Sequence, residues 1–270
     1  MKTASLTGLI FALSATTALA GGHCAAGKTL TEGKLTIATG NPAYYPWVMD
    51  DNPESGEGFE AAVAYAVAAE MGFGAEDVVW VRSSFDEAIQ PGAKDFDMNM
   101  QQYSITPERD EVVDFSAPYY SAPMAVLVVG EGKNADATLD GLKGLVWGAV
   151  GTTTAVPMLT DFIQPDSDPL LYGDNADVTA AMQAGQIDAA LFDLPTALFL
   201  SAVMIEGSSI LGQFAADRTD SPDQFGMLME DGNPLKACVD EALMALTESG
   251  ALAEIEAKWL QDTTGVPLIK

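Results

Sequence analysis

Short β-branched runs alternate with helix-forming segments along most of this chain, and that alternation confines it to a layered α/β architecture. Residues 35–39, 78–81, 96–100, 124–129, 145–150, 187–192 and 225–229 read as strands. Between them, 59–71 reads as an Ala-rich helix stopped by Gly72, and 152–162, 178–184 and 195–205 read as helical. Pro107 marks a further helix start, and 234–260 holds two helices broken near Gly250. Turn-rich, charged stretches at 130–140 and 215–223 each lie beside a strand. Two such boundaries, rather than one, fit two lobes with the second inserted into the first. Ligands of open α/β sheets settle beyond the C-terminal ends of the strands, so the crevice between lobes is the expected site.

The N-terminus assigns a compartment. Lys2 precedes an acid-free apolar run over 6–19, and Ala18-Leu19-Ala20 then supplies a small-x-small cleavage site before Gly21-Gly22. Residues 1–20 therefore read as a secretory signal peptide, with an apolar run shorter than the ~20 residues a membrane span needs. His23 is too large and polar for the residue that precedes a lipid-modified cysteine, so Cys24 is not expected to carry lipid. The later apolar run 187–205 contains Asp188, Asp193 and Pro195, and reads as strand plus helix. The mature protein is expected to be soluble and exported. Its two cysteines, Cys24 and Cys238, are then expected to oxidise to one disulfide.

Composition excludes several function classes. Lys and Arg total 12 against 39 acids, for a net charge of −27, which would repel a phosphate backbone. His23 is the single histidine, so no His-based metal cluster is available and none is expected. Two cysteines are too few for a thiolate zinc site. Gly22-His23-Cys24-Ala25-Ala26-Gly27-Lys28-Thr29 spells a phosphate-cradling loop, but a removable leader precedes it and no helix follows. Gly56-Glu57-Gly58-Phe59-Glu60-Ala61 spells a dinucleotide pattern, but turn residues rather than a strand precede it. No cofactor is expected.

Ser104-Ile105-Thr106-Pro107-Glu108-Arg109, followed by Val113-Asp114-Phe115-Ser116-Ala117-Pro118-Tyr119-Tyr120, carries a specific resemblance. It is similar to the polar-amino-acid family of periplasmic solute-binding proteins, family 3, which serve ABC importers. Gly58-Phe59-Glu60, Ser84-Phe85-Asp86, Gly151-Thr152-Thr153, 188–193 and 250–259 follow in the family's order. The resemblance implies a periplasmic-binding-protein fold of two α/β lobes joined by a two-strand hinge. Residues 21–122 with 224–270 would form lobe 1, and 123–223 lobe 2. It implies a non-catalytic, monomeric periplasmic protein that closes on a free amino acid and delivers it to an ABC transporter permease.

The chemistry of the residues agrees. Besides Arg82 and Arg218, Arg109 is the only arginine, and its planar fork can grip a carboxylate with two parallel bonds. The resemblance makes it the carboxylate clamp, with Ser104 beside it. A surface arginine near a helix start is the plainer alternative, although a cation is unfavourable there. Asp193 ends an apolar strand before Pro195, so it suits both a helix N-cap and a partner for the ligand's ammonium. Thr152 and Thr153 lie where a strand gives way to a helix, and the family carries Thr153 to the ligand. In the resemblance Phe85 matches the residue that packs on the ligand side chain, and Tyr44 or Tyr45 matches an aromatic near the first strand end, with core packing as the alternative for each. Glu60 reads equally well as a solvated carboxylate at a helix start.

Departures from the family matter for the ligand. Ala61 and Ala62 stand where a second acid is usual, and Gly40-Asn41 stands where binders of cationic side chains carry an acid. A polar or neutral side chain is therefore expected over a cationic one. Gln101 and Gln102 replace small residues, and Gln102 is a candidate contact to a polar side chain. Two other functions fit the same fold. A periplasmic dehydratase would need Asp193 or Glu60 as a protonated acid in an apolar pocket, and a receptor-linked sensor would act through a separate partner.

Overall fold

The computed structural model describes residues 24–214, 223–260 and 265–270, so the expected signal peptide lies outside the described residues. The chain first runs through β1 (Leu35–Thr39), α1 (Phe59–Glu70), β2 (Val78–Arg82), α2 (Phe85–Ala88), β3 (Met98–Asn99), α3 (Pro107–Asp110), β4 (Val113–Phe115) and β5 (Tyr120–Ala122). It continues through β6 (Met124–Val128), α4 (Leu139–Lys143), β7 (Trp147–Val150), α5 (Ala155–Pro157), β8 (Leu170–Tyr172), α6 (Asn175–Gln183), β9 (Ala189–Asp193), α7 (Leu194–Phe199) and β10 (Ser209–Gln213). It returns through β11 (Asp223–Phe225), β12 (Leu228–Glu230), α8 (Lys236–Ser249) and α9 (Ala251–Trp259).

These strands form two five-stranded sheets, in the orders β2-β1-β3-β12-β4 and β10-β6-β9-β7-β8. In the first, β1 is parallel to β2 and β3, while β12 runs antiparallel to β3 and β4. In the second, β7 is parallel to β8 and β9, while β6 runs antiparallel to β9 and β10. Every residue of β1 is buried, as a strand covered on both faces requires. Between the sheets, β5 and β11 pair antiparallel, with Tyr120 opposite Phe225 and Ala122 opposite Asp223. The chain thus leaves the first sheet beside the point where it re-enters it.

Each sheet has its own core. Ile37, Phe59, Val67, Met98 and Leu243 pack on the first, and Cys238 on α8 is bonded to Cys24 there. Joining residues 214 apart removes denatured-state freedom worth about 5 kcal/mol at most on the chain-entropy reckoning. Gly58 caps the N-terminus of α1, and nothing larger fits there. Its φ is 105°, and a Cβ would lie 2.5 Å from the Trp47 carbonyl oxygen. Val126, Leu127, Trp147 and Leu191 occupy the second body's core on the two faces of its sheet.

Several elements depart from the expectations. The run 225–229 divides into β11 and β12, one in the two-stranded link and the other in the first sheet. The expected helices 152–162 and 195–205 are cut short, because 158–163 and 200–204 widen into π turns. The last residues differ as well. Residues 265–270 pack on the second sheet rather than with lobe 1, where the sequence reading put them. Leu268 bridges to Gln213, the Lys270 N–H donates to Ala137 at 3.1 Å, and Ile269 is buried in the second core. Physically, the tail covers the otherwise open edge of β10.

Candidate ligand-binding site

A cleft of about 320 Å³ lies between the sheets, and both contribute to its walls. The loops that follow β1, β3, β7 and β9 at their C-terminal ends all reach it, as strand polarity requires. Arg82 steadies the first of these loops by donating to the Gly40 carbonyl at 2.7 Å and pairing with Asp51 at 2.5 Å.

Arg109 rises from α3, a single turn capped by the Thr106 side chain. Its guanidinium donates to the Ser104 carbonyl at 2.8 Å and to the Thr152 carbonyl at 2.9 Å, and sits 5.4 Å over the Phe85 ring. These bonds engage two of its five donors. Burial pulls its pKa below the ordinary arginine value, and the charge of Asp223 opposes that shift. Phe85 itself stacks on Tyr103 with centroids 4.5 Å apart.

Asp193 stands at the end of β9 and caps α7, accepting from the Thr196 N–H at 2.8 Å. Burial raises its pKa to about 6, the Thr196 bonds pull it back, and Asp223 pushes it up again. Arg109 and Asp193 therefore line one cleft from different sheets.

The other expected residues divide. Ser104, Thr153, Phe85, Tyr44 and Gln102 line the cleft. Thr153 Oγ1 donates to the Val150 carbonyl at 2.9 Å, fixing the turn after β7. The pKa of Tyr44 rises through burial and then through Asp174, Asp177 and Asp51. Thr152 and Tyr45 do not line the cleft. Thr152 lends its carbonyl to Arg109 and its hydroxyl to Asp86, and Tyr45 packs at a tilt against Phe199 with ring centroids 4.5 Å apart.

Glu60 corrects the solvated alternative, because it is 1% exposed. It accepts from the Gln102 N–H at 2.8 Å and also from the Gln102 amide and the Tyr119 hydroxyl. Burial raises its pKa to about 7 despite these bonds, and Asp193 adds to the rise. Gln102 is thereby held at φ 52°, a backbone region that non-glycine residues seldom adopt, and its side-chain amide is turned toward Glu60.

Asp223 was missed by sequence reasoning because it lies in a turn-rich stretch. It lines the cleft from β11 and accepts from the Thr154 hydroxyl at 3.3 Å, and burial raises its pKa against the influence of Ser104, Thr154 and Arg109. Asp86 and Asp174 also line the cleft. Among the described residues, no group of three or more His, Cys, Asp or Glu is placed to hold a metal ion. No helix among them is long and apolar enough to cross a membrane.

The profile of the bacterial extracellular solute-binding proteins, family 3, matches residues 35–262. The chain belongs to this family. As a family 3 solute-binding protein it is 27% identical over 227 residues to the L-cystine-binding protein TcyJ of Escherichia coli (strain K12), covering 80% of this chain and 79% of that one. It superimposes on an ancestral arginine-binding protein bound to glutamine with a TM-score of 0.70 at 25% identity, covering 86% of this chain and all of that one. It also matches the ancestral amino-acid-binding protein AncCDT-1, a precursor of cyclohexadienyl dehydratase, with a TM-score of 0.66 at 25% identity, covering 85% and 96%. The fold is the two-lobed one of periplasmic binding proteins.

Proposed function

We propose that this protein captures a free amino acid between its lobes in the periplasm and hands it to the permease of an ABC importer, without catalysing a reaction. The 1–20 leader would export it. The observation that carries this reading is the pairing of one guanidinium and one half-buried carboxylate in the same cleft, contributed by different lobes. In this reading Arg109 takes the ligand's carboxylate, and Asp193 takes its ammonium. Ser104 and Thr153 add hydrogen bonds, while Phe85 and Tyr44 pack on the side chain.

The charge of the cleft narrows the ligand. Glu60, Asp86, Asp174, Asp193 and Asp223 line it, against Arg109 as the one cation among the described lining residues. A ligand with a second carboxylate would meet this excess of like charge unpaired. The side chain is therefore one that ends in hydrogen-bond donors, an amide or a cation. This keeps the polar part of the expectation from the sequence but not its preference against cations, since Asp174 offers an acid although Gly40-Asn41 does not. A structural neighbour that is an arginine-binding protein bound to glutamine is in keeping with it.

The test is thermal shift and calorimetry across the twenty standard amino acids and L-cystine. Binding should raise the melting temperature by mass action, with glutamine or arginine far ahead of glutamate. No shift from any of them would overturn the reading.

A second reading, a dehydratase on the same fold, is favoured by two cleft carboxylates with raised pKa values, Glu60 and Asp193, and by the resemblance to AncCDT-1. Glu60 has both oxygens occupied by Gln102 and Tyr119, which leaves Asp193 as the acid. Loss of a prephenate-like cyclic acid on incubation with the purified protein would establish that activity.

A further inference from the structure

Trp47 and Thr196 meet between the lobes, Trp47 lining the cleft and Thr196 lying outside its lining. Trp47 is fully buried on the first lobe. Phe59, Tyr120 and Phe225 box its indole edge-on at 5.7, 5.6 and 5.7 Å. Its carbonyl accepts from the Glu60 N–H at 2.9 Å, and Gly58 is required where the backbone passes. The indole is therefore fixed to the first lobe. Its N–H nevertheless donates to the other lobe, to Thr196 Oγ1 at 2.8 Å, in a buried bond between residues 149 apart.

Thr196 lies in the first turn of α7 and is 6% exposed. Its N–H donates to Asp193 Oδ1 at 2.8 Å, and its side chain helps to lower the pKa of the same carboxylate. A hydroxyl has one proton to give and lone pairs with which to accept. Accepting from Trp47 leaves that one proton free to turn toward Asp193. The result is a continuous chain from an indole on one lobe, through Thr196, to a carboxylate on the other.

We propose that Thr196 is a positioning residue that relays lobe closure to Asp193, because only the closed arrangement completes the Trp47–Thr196–Asp193 chain. When the lobes part, the Trp47 N–H loses its partner and the hydroxyl loses the donor that polarises it. When they close, the bonds strengthen one another in a site shielded from water. Closure then favours an ionised, oriented Asp193, and a ligand ammonium on Asp193 favours closure by the same coupling. The inference rests on the amino-acid-binding reading above.

The test compares Thr196→Val, Thr196→Ser and Trp47→Phe, using as probe the strongest binder in the panel of standard amino acids and L-cystine. Thr196→Val keeps the shape of the side chain and removes the hydroxyl. It should speed ligand dissociation roughly 10- to 100-fold, the loss expected for one charge-assisted bond, with little change in association. Thr196→Ser should dissociate at nearly the wild-type rate. The double variant with Trp47→Phe should be no worse than Thr196→Val alone, since both break one chain. Small-angle scattering should show less ligand-induced compaction in Thr196→Val, and unliganded melting confirms its fold. Should it fail to fold, Trp47→Phe with the same kinetic readout decides. Wild-type rates in the Val variant, or in Trp47→Phe where that decides, would overturn the relay alone. So would an equal loss in the Ser variant, or losses that multiply in the double variant. A wild-type protein that binds nothing in the panel would overturn the amino-acid-binding reading itself.

Discussion

Arg109 Nη2 lies 2.9 Å from the carbonyl oxygen of Thr152, so the one cation among the described lining residues also joins the two walls of the cleft. Its other terminal nitrogen is held by the Ser104 carbonyl of the first lobe. Main-chain oxygens aim the guanidinium, and the Phe85 ring lies beneath it. This geometry suits a planar fork and not a point charge.

Replacement of Arg109 by alanine should weaken ligand binding by about 2–5 kcal/mol, because the bound carboxylate is left buried without its partner. Lysine should restore only part of the loss, since an ammonium cannot span both carbonyls and still grip a carboxylate. Calorimetry on the wild type and the two variants checks both expectations.

Ligand affinity should fall as pH falls through about 6. Asp193 must be ionised to hold an ammonium, and burial has raised its pKa from 3.8 to about 6. Below that value each pH unit should weaken binding up to about tenfold. Asp193→Asn should bind weakly throughout and lose the dependence. Titrations between pH 5 and 8 measure it.

Unliganded stability should follow the opposite trend where Glu60 is concerned. Its folded pKa of about 7 exceeds the ordinary 4.5, so the folded state holds more protons between those values. Stability from this group is therefore largest at the acid end of the window and declines as pH rises through about 7. Glu60→Gln should flatten that decline in melting temperature and leave the affinity limb of Asp193 in place.

Reduction of the Cys24–Cys238 bond, or Cys238→Ser, should lower the melting temperature substantially. The loss has an upper bound of about 5 kcal/mol from chain entropy. Thermal melts with and without a reductant check this, and a ligand titration of the reduced protein shows whether the cleft survives.

The fold was legible where periodicity was strong. The buried runs of β1, β6 and β9, and the Ala-rich α1, declare themselves by composition alone. The three-residue strands β4, β5 and β8 do not, because a segment that short is defined by its partner rather than by its own residues. The site was legible through residues whose chemistry is unusual for the chain. Arg109 is conspicuous among 39 acids, and Asp193 follows an apolar strand end. Glu60 and Asp223 looked like ordinary surface acids, because their burial depends on Tyr119, Gln102 and Ser104, which are distant in sequence. Thr196 gave no signal, since its role arises from an indole 149 residues away.

The first and last described residues are fastened to different halves of the molecule. Cys24 is bonded to α8, while Lys270 is hydrogen-bonded to Ala137, just before α4 in the second lobe. A fluorophore beside each of them would thus ride on separate rigid bodies. Energy transfer between the two dyes would read the jaw angle directly, without a label anywhere near the pocket.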